Sequence, residues 1–224
     1  MKQKGNKQMK IEVKNLRKSF GELVLFEDYS FELESNEITC LYGKSGSGKT
    51  TLLNILGGIE DYQQGEILYN GKKLTPSLKR KFLSNDFGFV FQNFGLLENE
   101  TVYSNFMLIK KVKKMRKFDR DKLIHSSLDL VGLAGCEKIK VYTLSGGEQQ
   151  RVAVAKMLAK DCNIIFADEP TASLDWENKE IILKLFRLLK MRGKTIIIVS
   201  HDDDVKNAAD KVIEIKRGES SSET

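Results

Sequence analysis

Apolar and polar residues alternate over short stretches in the first third of the chain. Apolar side chains recur at every second or third position in residues 11–16, and again at positions 31 and 33. A period near two places the apolar groups on one face of a β-strand. The pair Asn70-Gly71 is a strong signal for a hairpin turn. The pattern therefore predicts antiparallel strands in this part of the chain.

Further along, continuous apolar runs alternate with stretches of helical periodicity. Apolar residues recur every three or four positions from about Asn99 to Leu133, which predicts a group of helices. A longer helix is predicted from Trp176 to Arg192, closed by Gly193. Strands alternating with helices are typical of an α/β fold with a parallel sheet. The apolar runs that predict its strands occupy residues 37–42, 87–91, 164–167, 195–199 and 212–215.

Length and composition narrow the class of protein. The 224 residues suit one large domain, and 41% of them are hydrophobic. We expect a basic tail at residues 1–9, a single domain at 10–217 and a polar tail at 218–224. No run approaches the ~20 apolar residues that span a bilayer, and the polar N-terminus does not resemble a signal peptide, so we expect a cytoplasmic chain. A net charge of +6 is too small to identify a partner. The three cysteines lack metal or redox spacing and are predicted to be reduced thiols: Cys40, Cys136 and Cys162.

The segment LYGKSGSGKT at positions 41–50 carries the most specific chemistry in the chain. Its G-x-x-x-x-G-K-[ST] spacing, between a predicted strand and a predicted helix, is that of a loop that cradles nucleotide phosphates. Glycines let backbone amides approach a phosphate, and the start of a helix favours an anion. Lys49 is predicted to neutralise the β and γ phosphates, and the Thr50 hydroxyl to bind Mg²⁺. The predicted nucleotide-binding residues here are Gly43, Lys44, Ser45, Gly46, Ser47, Gly48, Lys49, Thr50 and Thr51.

Two consecutive carboxylates, Asp168 and Glu169, follow the apolar run at 164–167. Ligands of parallel sheets gather at the carboxyl ends of the strands. Asp168 is predicted to hold Mg²⁺ through water, and Glu169 to polarise the water that attacks the γ phosphate. The alternative is that the segment only ends a strand. Its combination with the phosphate loop favours the catalytic interpretation.

A second anion site is predicted at residues 144–148, which read LSGGE. Ser145 and Glu148 have the spacing of a capping box, so Gly146 and Gly147 are predicted to begin a helix with exposed backbone amides. One nucleotide has no obvious need for two phosphate-binding helix ends in the same chain. We therefore predict that Ser145, Gly146, Gly147 and Glu148 serve a nucleotide held by another subunit.

The run LSGGEQQR at 144–151 resembles the signature sequence of the ATP-binding cassette (ABC) ATPases. The order of the phosphate loop, Gln92, LSGGE, Asp168-Glu169 and His201 is similar along nearly the whole chain. The resemblance implies an α/β fold with a P-loop NTPase core and a mixed sheet, an antiparallel β region and an α-helical subdomain inserted at about residues 93–160. It implies ATP and Mg²⁺ as ligands.

The resemblance also implies roles for residues whose surroundings in the sequence are less telling. Gln92 would sense Mg²⁺ and the attacking water, and His201 would contact the γ phosphate. Phe20 would stack on adenine, with a core phenylalanine as the alternative. Asp175 would couple the two sites of a dimer, or only cap a helix. The catalytic residues implied are Glu169, His201, Gln92 and Lys49, and the metal-binding residues are Thr50, Gln92 and Asp168.

The same resemblance implies an ATPase subunit that forms a head-to-tail dimer around two ATP molecules and drives a separate membrane permease from the inner face of the cell membrane. FGFVFQNFGLLENETVYSNF at 87–106 is similar to the branch of lipoprotein release, macrolide efflux and antimicrobial-peptide export. It predicts an exporter of peptide, lipid-linked or drug-like substrates. The alternative is the branch's cell-division ATPase, which transmits force without moving a solute. DNA-repair and translation relatives need coiled coils or two cassettes in one chain, so no nucleic-acid partner is predicted.

Three other features are less specific. The basic run KKVKKMRK at 110–117 could contact anionic lipid head groups or an acidic partner. The alternative, which is favoured, is that it forms a solvated helix face. His125 is predicted to be a surface or packing residue. Lys156 stands near the place where the family usually has an arginine, which is a conservative exchange of charge.

Overall fold

The structure is a computed structural model that describes residues 9–216. Met9 is buried, with 3% of its surface exposed. The rest of the predicted basic tail and the predicted polar tail lie outside the described residues. The boundaries predicted for the domain and its helical subdomain stay predictions.

The alternating first third forms an antiparallel sheet, as its pattern predicts. Its strands are β1 (Ile11–Phe20), β2 (Leu23–Leu33), β4 (Gln64–Tyr69) and β5 (Lys72–Lys73), in the order β2-β1-β4-β5. Asn70 and Gly71 join β4 to β5 with φ of 49° and 70°. Positive φ at both positions is what a tight hairpin turn needs, and asparagine and glycine adopt it most readily.

The apolar runs form a second sheet in which every strand pair is parallel. It consists of β3 (Ile38–Tyr42), β6 (Phe87–Val90), β7 (Ile164–Asp168), β8 (Thr195–Ser200) and β9 (Lys211–Glu214), in the order β6-β7-β8-β3-β9. The carboxyl ends of these strands therefore share one edge, where ligands of parallel sheets bind. The parallel and antiparallel strands predicted from the sequence thus belong to two separate sheets.

The helices lie between these strands in the chain. They are α1 (Lys49–Leu56), α2 (Pro76–Asn85), α3 (Val102–Met107), α4 (Lys110–Lys113), α5 (Lys117–Asp129), α6 (Gly146–Lys160), α7 (Trp176–Met191) and α8 (Asp203–Ala208). The stretch predicted as helical from Asn99 to Leu133 is divided into α3, α4 and α5. The Thr101 side chain accepts the backbone N–H of Ser104, which starts α3.

The parallel sheet is covered on both faces, which is why its strands are continuously apolar. Phe166 and Ile197 lie in a core cluster with α1 and the antiparallel sheet. Their neighbours Ile165 and Ile198 lie in the opposite cluster, which contains the buried faces of α3 to α7. Side chains alternate between the faces of a strand, so β7 and β8 contribute to both clusters. The sheet edge is thereby held rigidly between two packed layers.

Among residues 9–216, no helix combines the length and apolar character needed to cross a membrane. The three cysteines are free, as predicted. Burial raises the pKa of the Cys40 thiol to about 12 and that of Cys162 to about 11, so both are uncharged near neutral pH. The lysines at positions 110, 111, 113, 114 and 117 are exposed, and contact of this basic run with lipid stays a prediction.

Candidate functional site

The predicted phosphate loop lies between β3 and α1, at the carboxyl edge of the parallel sheet. The Lys49 side chain is turned back into the loop, where its Nζ donates to the carbonyl oxygens of Gly43 at 2.7 Å and Lys44 at 2.9 Å. Only 6% of Lys49 is exposed. The positive charge is therefore held inside the loop, at the N-terminal end of a helix whose dipole also favours an anion.

Glycine is required in the loop because other atoms fill the space that a side chain would take. A Cβ on Gly43 would lie 2.5 Å from the Ile215 carbonyl oxygen and 3.0 Å from Ser47 Oγ. Gly48 has a φ of 99°, and a Cβ there would lie 3.0 Å from the Phe26 ring. Ser47 Oγ is buried and has no hydrogen-bond partner among the described residues. A closely wrapped loop with an unpartnered donor fits a phosphate group.

Thr50 and Asp168 meet across the sheet edge although 118 positions separate them in the chain. The Thr50 hydroxyl donates to Asp168 Oδ1 at 2.9 Å. Burial raises the pKa of Asp168, the Thr50 hydrogen bond opposes that rise, and the Glu169 charge adds to it. Both groups are hard oxygen donors, the kind that Mg²⁺ prefers. No group of three or more histidine, cysteine or carboxylate side chains that could hold a metal occurs within residues 9–216.

Glu169 lies beside His201, the histidine predicted to contact the γ phosphate. His201 Nδ1 is 2.8 Å from Glu169 Oε1, and the Ser200 hydroxyl donates to Oε2 at 3.4 Å. Glu169 has a φ of 45°, which is unusual for a residue with a side chain, and its N–H donates to the Val199 carbonyl at 3.0 Å. The strand end holds this conformation and aims the carboxylate at the end of β8.

Two further predicted residues lie at the margins of this cluster. Gln92 is exposed and follows β6, which pairs with β7, the strand that ends in Asp168. Phe20 ends β1 in the other sheet, and 49% of it is exposed. The Lys18 ammonium is 4.3 Å from the Phe20 ring centroid. The exposure of Phe20 argues against a core phenylalanine, and its stacking on adenine stays a prediction.

The capping box predicted at Ser145 and Glu148 is present. Ser145 Oγ accepts the N–H of Glu148 at 3.3 Å, and Glu148 Oε2 accepts the N–H of Ser145 at 2.8 Å. The bonds from Ser145 lower the pKa of the Glu148 carboxyl, which keeps it charged. Within the described part of the chain, no hydrogen bond or ion pair joins residues 145–148 to the phosphate loop. The second predicted anion site is thus not brought to the first.

Asp175 caps α7, and its Oδ1 accepts the backbone N–H of Asn178 at 2.9 Å. The capping alternative is therefore observed, and the coupling role stays a prediction. Sequence analysis missed two polar residues of these sites, Ser200 and Asn178. Ser200 precedes the predicted histidine and could have been found from that position. Asn178 has no signal except its place three residues after a helix cap.

His125 lies away from these groups. Its Nδ1 is 2.9 Å from Glu137 Oε1, and 63% of its side chain is exposed. It is a surface residue, as the sequence predicted. The arrangement therefore places one histidine and two carboxylates at the sheet edge beside the phosphate loop.

Comparison with known proteins agrees with this geometry. The ABC transporter family matches residues 26–172. The chain is 36% identical over 213 residues to the spermidine/putrescine import ATP-binding protein PotA of Clostridium novyi, covering 93% of this chain and 60% of PotA. It is 38% identical over 216 residues to the macrolide export ATP-binding/permease protein MacB of Mannheimia succiniciproducens, covering 93% of this chain and 34% of MacB. The chain thus spans less than two thirds of the length of these curated relatives.

This chain is also similar in fold to a solved structure. The ATP-binding cassette MJ0796, in a dimeric post-hydrolysis state bound to ADP and Pi, matches with a TM-score of 0.85 and 33% identity. The match covers 96% of this chain and 97% of that chain. The fold predicted from the resemblance is confirmed. The chain belongs to the ABC transporter family and carries its ATPase domain.

Proposed function

We propose that this chain binds ATP with Mg²⁺ at the phosphate loop, hydrolyses it, and uses the cycle to drive a separate membrane permease from the cytoplasmic face of the membrane. The observation that carries the proposal is the sheet edge where Thr50, Asp168, Glu169 and His201 meet beside a loop that already holds Lys49. Phosphoryl transfer needs charge neutralisation and a positioned water more than covalent chemistry. These five side chains supply both.

Each side chain has a distinct part in the proposed reaction. Lys49 and the amides around Gly48 neutralise the phosphates, and Thr50 and Asp168 would hold Mg²⁺. When bound, that ion neutralises charge on the phosphate oxygens. Glu169 accepts a hydrogen bond from the attacking water and thereby directs the lone pair of the water oxygen at the γ phosphorus. His201 holds the Glu169 carboxylate in place through the 2.8 Å contact.

We further propose that a second cassette completes the site. Among residues 9–216, no hydrogen bond or ion pair joins the start of α6 to the phosphate loop, and we place its amides at the nucleotide of another subunit. ATP would stabilise the closed dimer because it contacts both chains, and hydrolysis would remove the γ phosphate that joins them. Opening and closing would transmit force to the permease.

We propose export as the direction of transport, with a peptide, lipid-linked or drug-like compound as the substrate. The support is the similarity of residues 87–106 to the export branch, together with the match to MacB. The matches to PotA and to the methionine import ATP-binding protein MetN of Clostridioides difficile, at 36% identity each, are of similar strength. The membrane permease that pairs with this chain must therefore decide the direction of transport.

The test is the Glu169→Gln variant, tagged and expressed in native cells. The glutamine amide keeps the shape of the glutamate side chain but is a weaker acceptor of a hydrogen bond from water. We therefore expect ATP binding to be retained, the closed dimer to accumulate and ATP turnover to be lost. Solubilising the membranes with ATP and identifying what co-purifies should recover a multi-spanning permease. Normal turnover would remove Glu169 from its role. Recovery of a division-type membrane protein, or of the chain alone, would contradict transport.

The matched control is Glu180→Gln, at an exposed carboxylate on α7 that pairs with Lys184 at 2.8 Å. The same chemical exchange there is expected to leave turnover and co-purification unchanged. A loss of turnover in this control would show that the effect at Glu169 is not specific.

A further inference from the structure

Asn178 connects two segments that lie apart in the chain. Its Oδ1 accepts a hydrogen bond from Arg151 Nη1 of α6 at 2.6 Å. Its Nδ2 donates to both carboxylate oxygens of Asp175, at 3.0 Å each. A guanidinium only donates and a carboxylate only accepts, so the bridge needs a side chain with an acceptor at one end and a donor at the other. The asparagine amide provides both, with the acceptor and the donor on separate atoms.

The same amide packs flat against the backbone of Gly147. A Cβ on Gly147 would lie 2.4 Å from both Cγ and Oδ1 of Asn178 and 2.8 Å from Nδ2. Atoms at these distances cannot coexist, so the Asn178 amide occupies the space that a side chain at position 147 would need. Asn178 thus contacts both Asp175, at the start of α7, and the first turn of α6.

We propose that Asn178 is a positioning residue that couples Asp175 to the amides of Gly146 and Gly147, and so orients them towards the nucleotide of a second copy of this chain. The inference rests on the proposed function, in which residues 145–148 meet that nucleotide. Two polar contacts to charged partners and one steric contact hold the orientation before the dimer forms. Pre-set donors avoid the cost of ordering them during closure.

The charges agree with this arrangement. The hydrogen bonds from Asn178 lower the pKa of the exposed Asp175 carboxyl, so it stays an acceptor near neutral pH. Arg151 supplies the donor at the other end of the bridge.

The experiment uses the Glu169→Gln chain, whose ATP-dependent dimer is measured by analytical ultracentrifugation over a range of protein concentrations. Adding Asn178→Ala is expected to weaken dimer formation by about 10-fold or more, because the hydrogen bonds to two charged side chains are lost. ATP affinity of the monomer, measured with a fluorescent nucleotide at high dilution, is expected to change by less than about 2-fold. A purely structural role would change both readouts together or neither.

Two further variants separate the parts of the bridge. Asn178→Asp keeps an oxygen for Arg151 but loses the donors to Asp175 and sets two carboxylates against each other, so it is expected to weaken the dimer as Asn178→Ala does. Gly147→Ala is expected to displace the side-chain amide of Asn178. The double variant Gly147→Ala with Asn178→Ala should therefore weaken dimer formation no more than the stronger of the two single changes. Lys184→Ala, on the exposed face of the same helix, is the control and is expected to change nothing.

The outcomes distinguish this inference from the proposed function. If Glu169→Gln with native Asn178 forms no dimer with ATP, the proposed function itself is wrong. If that dimer forms and Asn178→Ala leaves it unchanged, only the coupling is refuted. Strict additivity of Gly147→Ala and Asn178→Ala would likewise refute it, and this comparison holds even where each variant lowers the melting temperature.

Discussion

Replacing Lys156 with methionine is expected to stabilise the fold. The amine lies on α6 with 9% of the residue exposed, and its hydrogen bond is to the Gly95 carbonyl at 3.4 Å. No carboxylate pairs with it among the described residues. Burial lowers its pKa from 10.5 to about 8, and the Lys160 charge contributes. A shift of that size corresponds to about 3 kcal/mol of lost stability while the amine is charged in both folded and unfolded states.

The dependence on pH identifies the cause. Below the folded-state pKa of about 8, both states are protonated and the penalty is fully present. As the pH rises from there towards the unfolded value of 10.5, the folded state loses its proton first and the penalty disappears. We therefore expect Lys156→Met to be more stable than the native chain by about 2–3 kcal/mol near neutral pH, with the difference shrinking above about pH 8.

Urea unfolding of both chains at a series of pH values measures this difference directly. Other groups that titrate, including the buried thiols, are common to both chains and largely cancel. Lys113→Met, at an exposed lysine of the basic run, is the control and should show no such trend. If the difference in free energy of unfolding did not depend on pH, or if Lys156→Met were less stable near neutral pH, a buried charge without a counter-ion would not be the cause of the lost stability.

Three other changes test separate parts of the structure. Lys49→Ala should weaken ATP binding by about 10-fold or more because the loop loses its buried charge, and an unchanged affinity in a fluorescent-nucleotide titration would contradict this. Ser145→Ala should cost about 1 kcal/mol of stability in urea unfolding through loss of the cap on α6, while monomer ATP affinity stays unchanged. Phe106→Ala should cost about 3–5 kcal/mol because it leaves a cavity among the helices, and a loss below about 1 kcal/mol would mean that this cluster repacks. Phe118→Ala, at a side chain that is 79% exposed, is the matched control for Phe106 and should have little effect.

Much of the fold was predictable because its signals are local. The helix predicted at 176–192 is observed as Trp176–Met191, and the strand predicted at 164–167 as Ile164–Asp168. Helix period, strand period and capping residues act over a few positions, so the sequence carries them without reference to the rest of the chain. The division of residues 99–133 into three helices was not predicted, because their breaks are not marked by glycine or proline within the run.

The candidate site was predictable for a different reason. The phosphate loop is a continuous segment whose spacing alone specifies its chemistry, and the capping box of α6 is equally local. The local sequence around Gln92, His201 and Phe20 did not by itself predict their roles. Their proposed roles depend on resemblance to the ABC ATPases, and the structure adds their positions.

The sequence by itself determined the elements, the phosphate loop and the family. Only the tertiary structure decided which distant residues meet: Thr50 with Asp168, Glu169 with His201, and Asn178 with Gly147. The strand order β6-β7-β8-β3-β9 brings the first two pairs to one edge of the parallel sheet, and the packing of α6 against α7 forms the third. The burial of Lys156 is likewise a property of its surroundings, since its local sequence is that of an ordinary helix. Contacts between remote segments depend on the whole fold, so no local pattern records them.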